Sequence, residues 1–179
     1  MNDKLILERV IAYGIDWYLT SMLCNIVLTV CYGLTGNSLE IITDITLLPL
    51  SYQILAAALE ILLFGIYFYF LSWLDPKRKG QSIGKIVTHI KVVNTDGNDL
   101  SLKNSLIRSV LGFLIVEGVL YTPSYSLRAV LSGMLGSTAA VVLLYIAMAV
   151  SILSGLRLLI KKDGLMFHDL LSKTKVVHR

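Results

Sequence analysis

Charge is what this sequence has least of. Asp, Glu, Lys and Arg make up 16% of its 179 residues, against 55% that are apolar. A soluble domain carries about a quarter of its residues as charges. The balance therefore excludes an ordinary water-soluble globule and a disordered chain, and it points to a polytopic membrane protein. Cysteine is nearly absent too. Cys24 and Cys31 are the only two, and seven residues along one helix sets them about 10 Å apart, too far for a bridge within the chain. They read as buried free thiols. Histidine is confined to His89, His168 and His178, none spaced to Cys or acid as a metal site would require. No nucleophile–base pair suited to acyl transfer is visible, so neither an enzyme nor a resident cofactor is expected. The net charge of +4 lacks the basic patch with stacking aromatics that nucleic acid demands, which removes that partner. No internal repeat is visible, so the inverted-repeat signature of many secondary transporters is missing.

What is present is a set of long apolar runs. Four are long enough to span a bilayer core of about 20 helical residues: about 10–32, 52–74, 105–122 and 136–160. The first exceeds the length of a signal-peptide core and opens with mixed charge, so it reads as a retained signal-anchor helix. Basic residues sort the loops. Residues 75–104 hold six, Lys77, Arg78, Lys79, Lys85, Lys91 and Lys103, and the tail 161–179 holds five, including Lys162. Residues 33–51 hold none and the intervening loop 122–135 has only Arg128. The positive-inside rule then puts both termini in the cytoplasm. The expected fold is a single all-α membrane domain over 1–179: four transmembrane helices, N-in and C-in, with a cytoplasmic amphipathic segment at the interface. Its first partner is the lipid bilayer; a homo-oligomer or a larger membrane complex is a further expectation. Small residues, Ala56–Ala58 and the Ala147, Ser151, Gly155 stripe, mark packing faces.

Charged residues inside the runs are the chemical candidates. Arg9 and Asp16 are seven apart, close to two helical turns, so they leave one face about 10 Å apart along the axis. An ionised carboxylate at depth costs roughly 2.5–3.5 kcal/mol on insertion scales, so Asp16 should turn toward a partner charge or a water-filled cavity. Arg9, Arg108 and Arg157 fall within about two turns of the cytoplasmic boundary. Either they snorkel to the headgroups, or they ring Asp16 as an ion-pair cluster at an inner vestibule. Glu60 and Glu117 lie near mid-depth, at depths where the two could meet. They are either proton-exchanging groups of a transport pathway or protonated interhelical glue.

The loop between the second and third runs divides in two. In "KRKGQSIGKIVTHI", Ile83, Ile86, Val87 and Ile90 recur at helical spacing, which reads as an amphipathic helix on the inner leaflet, with 77–91 contacting anionic lipid. "IKVVNTDGNDLSL" alternates around Asp96-Gly97 and reads as a small hairpin. "GQSIGK" is not a phosphate loop, since it has one residue too few between its glycines and Ile86 where a hydroxyl is needed. The third helix is capped by Ser101 or Asn104.

Taken together, "ERVIAYGIDW", "KGQSIGKIVTHIKVVNTDG", "SLIRSV" and "FHDLLSKTKVV" resemble the RDD family of bacterial membrane proteins. The resemblance spans most of the chain and implies the bacterial inner membrane. The family takes its name from one Arg and two Asp. The resemblance places the Arg on Arg9, the first Asp on Asp16 and the second on Asp169 of the "HD" pair, with Asp96 as the other candidate. It also singles out Gly80, Gln81, Ser82, Gly84, Lys85, Gly97 and Arg108, Ser82 standing where Thr is common. The family has been suspected of transport and includes a member reported as a sodium/proton antiporter. The resemblance therefore implies a transport or cation/proton-exchange component using buried carboxylates. The alternative is a non-catalytic scaffold or regulatory subunit of a larger export or envelope complex, in which Asp169 ties the tail to Arg9 or Arg108.

Overall fold

The computed structural model describes residues 3–161 and 164–179, with the main chain alone at 3, 72 and 73. Lys162, one of the five tail cations, lies outside the described residues. Helix α1 spans Asp3–Leu34, with no proline to interrupt it. It closes at Gly36, whose φ of +89° favours glycine. A short 3₁₀ turn at Ile45–Leu47, capped by the Asp44 carboxylate, leads through Pro49 into α2, Leu50–Leu74. Asp75 stops that helix in extended conformation, as the residue before Pro76 must. Helix α3 (Ile83–Val87), strand β1 (Ile90–Asn94) and helix α4 (Leu102–Leu106) follow. Ser101 caps α4 by accepting from the Asn104 amide. Then α4 widens into a π-helical stretch, Ile107–Val116. Helices α5 (Thr122–Leu135) and α6 (Ser137–Ile160) are separated by Gly136; α7 (Phe167–Leu171) and strand β2 (Thr174–His178) complete the order. The protein is mostly helical. Among the described residues, three helices are long and apolar enough to cross a membrane: Lys4–Leu34, Leu50–Leu71 and Ser137–Ile160.

Three buried clusters stack along the bundle. At the end away from the basic loops, Leu28, Cys31, Ile45, Ala56, Ala57 and Val130 join α1, α2 and α5. In the middle, Phe64, Phe68, Phe113 and Tyr121 form tilted and edge-to-face rings. At the basic end, Ala12 meets Ile90, Val92, Leu100 and Val176. Ala56 and Ala57 form the packing face expected of them, while Gly155 faces open space.

Three expectations are corrected. The third run does not continue as a helix to residue 122. It stops at Val116, and 122–135, expected as a loop, form α5, which packs on α2 and α6. Its serines and arginine disguised it. Ser124 and Ser126 are buried, and Arg128 donates to the Gly118 carbonyl at 2.9 Å. That bond helps resolve the break between the π stretch and α5. The Ser124 hydroxyl donates to Leu114 O at 2.9 Å and Trp17 Nε1 to Leu120 O at 2.8 Å, so carbonyls freed by the interruption find side-chain donors inside the protein. Second, the domain is not all-α. β1 pairs antiparallel with β2, Ile90 opposite His178 through Asn94 opposite Thr174. The Asp96-Gly97 turn forms, with Gly97 at φ +89°, but beyond it only the single bridge Val93–Asp99 pairs back. Third, the helix expected to run to Ile90 ends at Val87 and turns its polar face, Ser82, Lys85 and Thr88, inward, leaving Ile83 and Val87 exposed.

Candidate functional site

Asp16 projects from α1 toward the start of α3. Its Oδ1 accepts from the Tyr67 hydroxyl at 2.7 Å and the Gly84 amide at 2.9 Å. Its Oδ2 accepts from the Ser82 hydroxyl at 2.5 Å and from Lys85 Nζ at 3.3 Å. Lys85 also donates to Ser82 Oγ at 2.7 Å and sits over the Phe68 ring. Burial pushes the Lys85 ammonium down, while Asp16 pulls it back up. The glycines explain themselves here. A Cβ on Gly84 would collide with the Ala12 carbonyl oxygen of α1, and one on Gly80, at φ +74°, with Val92 O of β1. Gln81 Nε2 holds the Ile90 carbonyl at 3.0 Å. "GQSIGK" is thus a docking segment that brings a backbone amide, a hydroxyl and an ammonium to one carboxylate.

A second carboxylate gathers the other end of the chain. Asp169 is fully buried on α7. It accepts from Arg9 Nη2 at 2.7 Å, from Arg108 Nη1, and from the Met166 amide at 2.9 Å. Burial alone would raise its carboxyl; Arg108 and Arg9 overcome this and hold it well below the usual carboxylate range. Arg9 Nη1 adds the Gly164 carbonyl at 2.5 Å, and Arg108 adds Thr174 Oγ1 at 2.7 Å. The three arginines therefore do not ring Asp16. Two of them clamp Asp169, and Arg157 donates to the Leu165 carbonyl. The spacing argument failed because it had no position for the tail, which supplies the closer carboxylate. Asp96 stays in an exposed turn with Asn98.

Glu117 and Glu60 do not meet. Glu117 sits at the break after the π stretch and accepts from Ser154 Oγ at 2.6 Å, the His168 amide at 2.9 Å and His168 Nδ1 at 2.7 Å. The other ring nitrogen, Nε2, lies 3.0 Å from Arg108 Nη2. Arginine only donates, so Nε2 must accept and the ring proton belongs on Nδ1. Burial, and then Arg108, push the His168 pKa down, in keeping with this neutral tautomer. Glu60, on α2, is 0% exposed, and neither carboxylate oxygen makes a well-formed hydrogen bond. Its polar neighbours are Ser126 on α5, whose hydroxyl faces the carboxylate in loose hydrogen-bonding reach, and Cys24 and Cys31 on α1. Sequence reasoning passed over His168, Tyr67, Ser154 and Thr174. The "HD" pair was a signal for the first; nothing local marks the others.

Between α1 and α6 lies a slot of about 420 Å³. Val10, Leu158 and Leu159 supply apolar walls, and Arg9, Asp16, Lys85, Arg108, Glu117 and His168 supply a polar one. No group of three or more metal-ligating side chains occurs among the described residues.

The comparisons agree with this architecture at the level of family. The model of the RDD family matches residues 5–173, a stretch that holds Asp16, Asp169 and every group that donates to either carboxylate. None of the curated proteins and none of the solved structures matches the chain.

Proposed function

Because this chain belongs to the RDD family, we propose that it is a small multi-pass transport component that exchanges protons or small cations, with Glu60 as the exchanging group. The observation that carries this reading is the contrast among the four buried acids. Asp16, Asp169 and Glu117 each accept three or more hydrogen bonds. Glu60 accepts no well-formed one. A buried carboxylate without a firm partner favours its neutral form, so its proton is the one most readily exchanged for function rather than held for structure. Glu60 lies ten residues into α2, about 15 Å from its start, away from both charged networks. Purified protein in liposomes under an imposed pH or sodium gradient should exchange. Glu60→Gln should fold normally and abolish exchange, and undiminished exchange in that variant would refute the assignment.

The same reading threads the chain four times through a bacterial inner membrane, with both ends cytoplasmic. The third crossing combines α4, the π stretch and α5. Two features support it: α5 lies against α2 and α6, and the Tyr125 hydroxyl bonds Asp44 at 3.0 Å, which ties the first turn of α5 to the loop that lacks basic residues. Exposed Ile83 and Val87, on the same segment as exposed Lys77, suit contact between the 77–91 segment and an anionic leaflet.

The saturation of the other three acids favours a second reading. A protein that spends its charges on holding its own loops suits a scaffold or regulatory subunit of a larger complex. Such a protein would co-purify with its partner and stay silent in liposomes.

A further inference from the structure

We propose that His168 is a clasp that holds the Ile107–Val116 stretch in its wide π winding. When the clasp opens, the stretch rewinds as an α-helix, turns Glu117 away from the tail and lets go of α6. The device uses none of the groups around Glu60, so it goes beyond the exchange reading.

The winding needs a cause. A π turn closes with a bond from an amide to the carbonyl five residues back, as Glu117 N makes to Gly112 O at 2.9 Å, and such turns normally occur singly inside α-helices. Here the winding lasts for ten residues. Exposure follows it. Leu106, Leu111, Ile115 and Leu120 are exposed at steps of five, four and five residues, where the outer face of an α-helix would return every 3.6.

The cause lies in what faces the tail. Arg108, Phe113 and Glu117 all meet one imidazole. Arg108 Nη2 donates to Nε2 at 3.0 Å, Glu117 Oε2 accepts from Nδ1 at 2.7 Å, and the Phe113 ring centroid lies 4.4 Å from that of His168. Gly112 lets the two backbones close on each other, since a Cβ there would stand 2.5 Å from His168 Cβ. Steps of five and then four residues bring the three side chains to one face of a π winding. In an α-helix the nine residues from Arg108 to Glu117 make about two and a half turns and about 13 Å of rise, which puts the two on opposite faces. A single ring therefore bridges both only while the stretch stays wide. Arg108 is anchored by Asp169 and Thr174 as well, so rewinding turns the Glu117 end. Glu117 carries the effect outward. Its Oε1 accepts from Ser154 Oγ of α6 at 2.6 Å, and Ser154 in turn accepts from the Phe167 amide at 2.9 Å, so α6 is tied to the tail through the group that moves.

Ile115 reports the turn. It is 56% exposed, yet it follows Arg108 by seven residues, which in an α-helix is close to two turns and places it on the Arg108 face. A nitroxide on Ile115→Cys in the full chain, purified in detergent, is read by electron paramagnetic resonance for its collisions with dissolved oxygen. The same label on Leu106→Cys, ahead of the stretch, is the reference; Cys24 and Cys31 are buried and stay unlabelled. In His168→Leu, collisions at position 115 should drop to those of a buried site while those at 106 hold. His168→Gln keeps one donor for Glu117 and one acceptor for Arg108, and should keep the parent value. Gly112→Ala opens the clasp from the other side, because its methyl displaces His168 and Ala favours the α-helix, and it should turn the label as His168→Leu does. Circular dichroism should show full helix content throughout. Unchanged collisions at 115 in either variant that folds would overturn the proposal. So would an equal drop in His168→Gln, which would make the bulk of the ring rather than its two hydrogen bonds the cause, or loss of helix in both His168→Leu and Gly112→Ala, which would mean that the stretch melts instead of rewinding.

Discussion

Replacing Asp16 with Asn keeps the shape of the side chain but removes the anion on which the docking of α3 converges. In the parent, four donors meet this carboxylate, and its 2% exposure and the 10% of Lys85 leave little solvent to compensate. The amide turns one acceptor oxygen into a donor. Ser82 and Lys85, which both approach Oδ2, then face an N–H, and the ammonium keeps only the Ser82 hydroxyl and the Phe68 ring. Breaking a buried pair from one side costs about 3–5 kcal/mol. At about 2–4 °C per kcal/mol for a chain of this size, the melting temperature should fall by roughly 6–20 °C. Lys85→Met alone should cost less, because Asp16 retains Tyr67, Ser82 and Gly84. The double variant removes both charges and should recover part of the loss, with a coupling of about 0.5–3 kcal/mol. The assay is thermal unfolding in detergent followed by circular dichroism across the four proteins. Strict additivity would show that the pair is incidental and that the loss belongs to the backbone contact at Gly84.

Gly84→Ala should destabilise by about 1–3 kcal/mol, as overpacking does, and should open the 75–101 segment to limited proteolysis; unchanged cleavage would mean α3 tolerates a wider seat on α1. Because burial and Arg108 lower the His168 pKa, the unfolded chain takes up a proton that the folded one refuses. Stability should therefore decline as pH drops below about 6.5, and His168→Gln should flatten that slope. Asp169, held low, contributes stability that is complete above about pH 4 and is lost as pH falls further toward its depressed folded value; Arg9→Ala should move that acid loss upward. A cysteine at Ser38 should be labelled from outside intact cells and one at Asn98 only after permeabilisation; the reverse pattern would invert the proposed orientation.

Much of the membrane scaffold was legible because it is written in long-period composition. The runs at 10–32, 52–74 and 136–160 each correspond to a long helix, and Ser101, one of the two expected caps, starts α4. The third crossing was not legible as a unit. A helix that breaks inside the protein needs polar side chains to satisfy its freed carbonyls, and Ser124 and Arg128, which do that work, are the residues that make 122–135 look like a loop. The candidate site was half legible. Arg9, Asp16, Arg108 and Asp169 were identified, and a tie from Asp169 to Arg9 or Arg108 was one of the readings, but choosing it over a ring around Asp16 depended on where the tail returns. That return is set by β2 adding to β1, a contact between positions 80 to 88 residues apart in sequence.

The two carboxylate networks perform one mechanical task twice. Asp16 bolts the loop between α2 and α4 onto α1, and Asp169 bolts α7 onto α1 and the π stretch; β1, in that loop, and β2, beyond α7, then pair with each other. The ends of a minimal bundle are thereby locked to the base of its first helix. A consequence follows for any assay of activity. Variants at Arg9, Asp16, Arg108 or Asp169 alter the frame, so loss of exchange in them accompanies loss of folded protein and carries no information about the path of an ion. The discriminating positions are those that keep the frame intact. Glu60, with no well-formed hydrogen bond to lose, is such a position. If Glu60→Gln loses exchange at unchanged melting temperature while Asp16→Asn loses both together, the frame and the transport group are physically separate. If Asp16→Asn loses exchange at unchanged melting temperature, Asp16 is the exchanging group and its four donors are a binding site in its resting state.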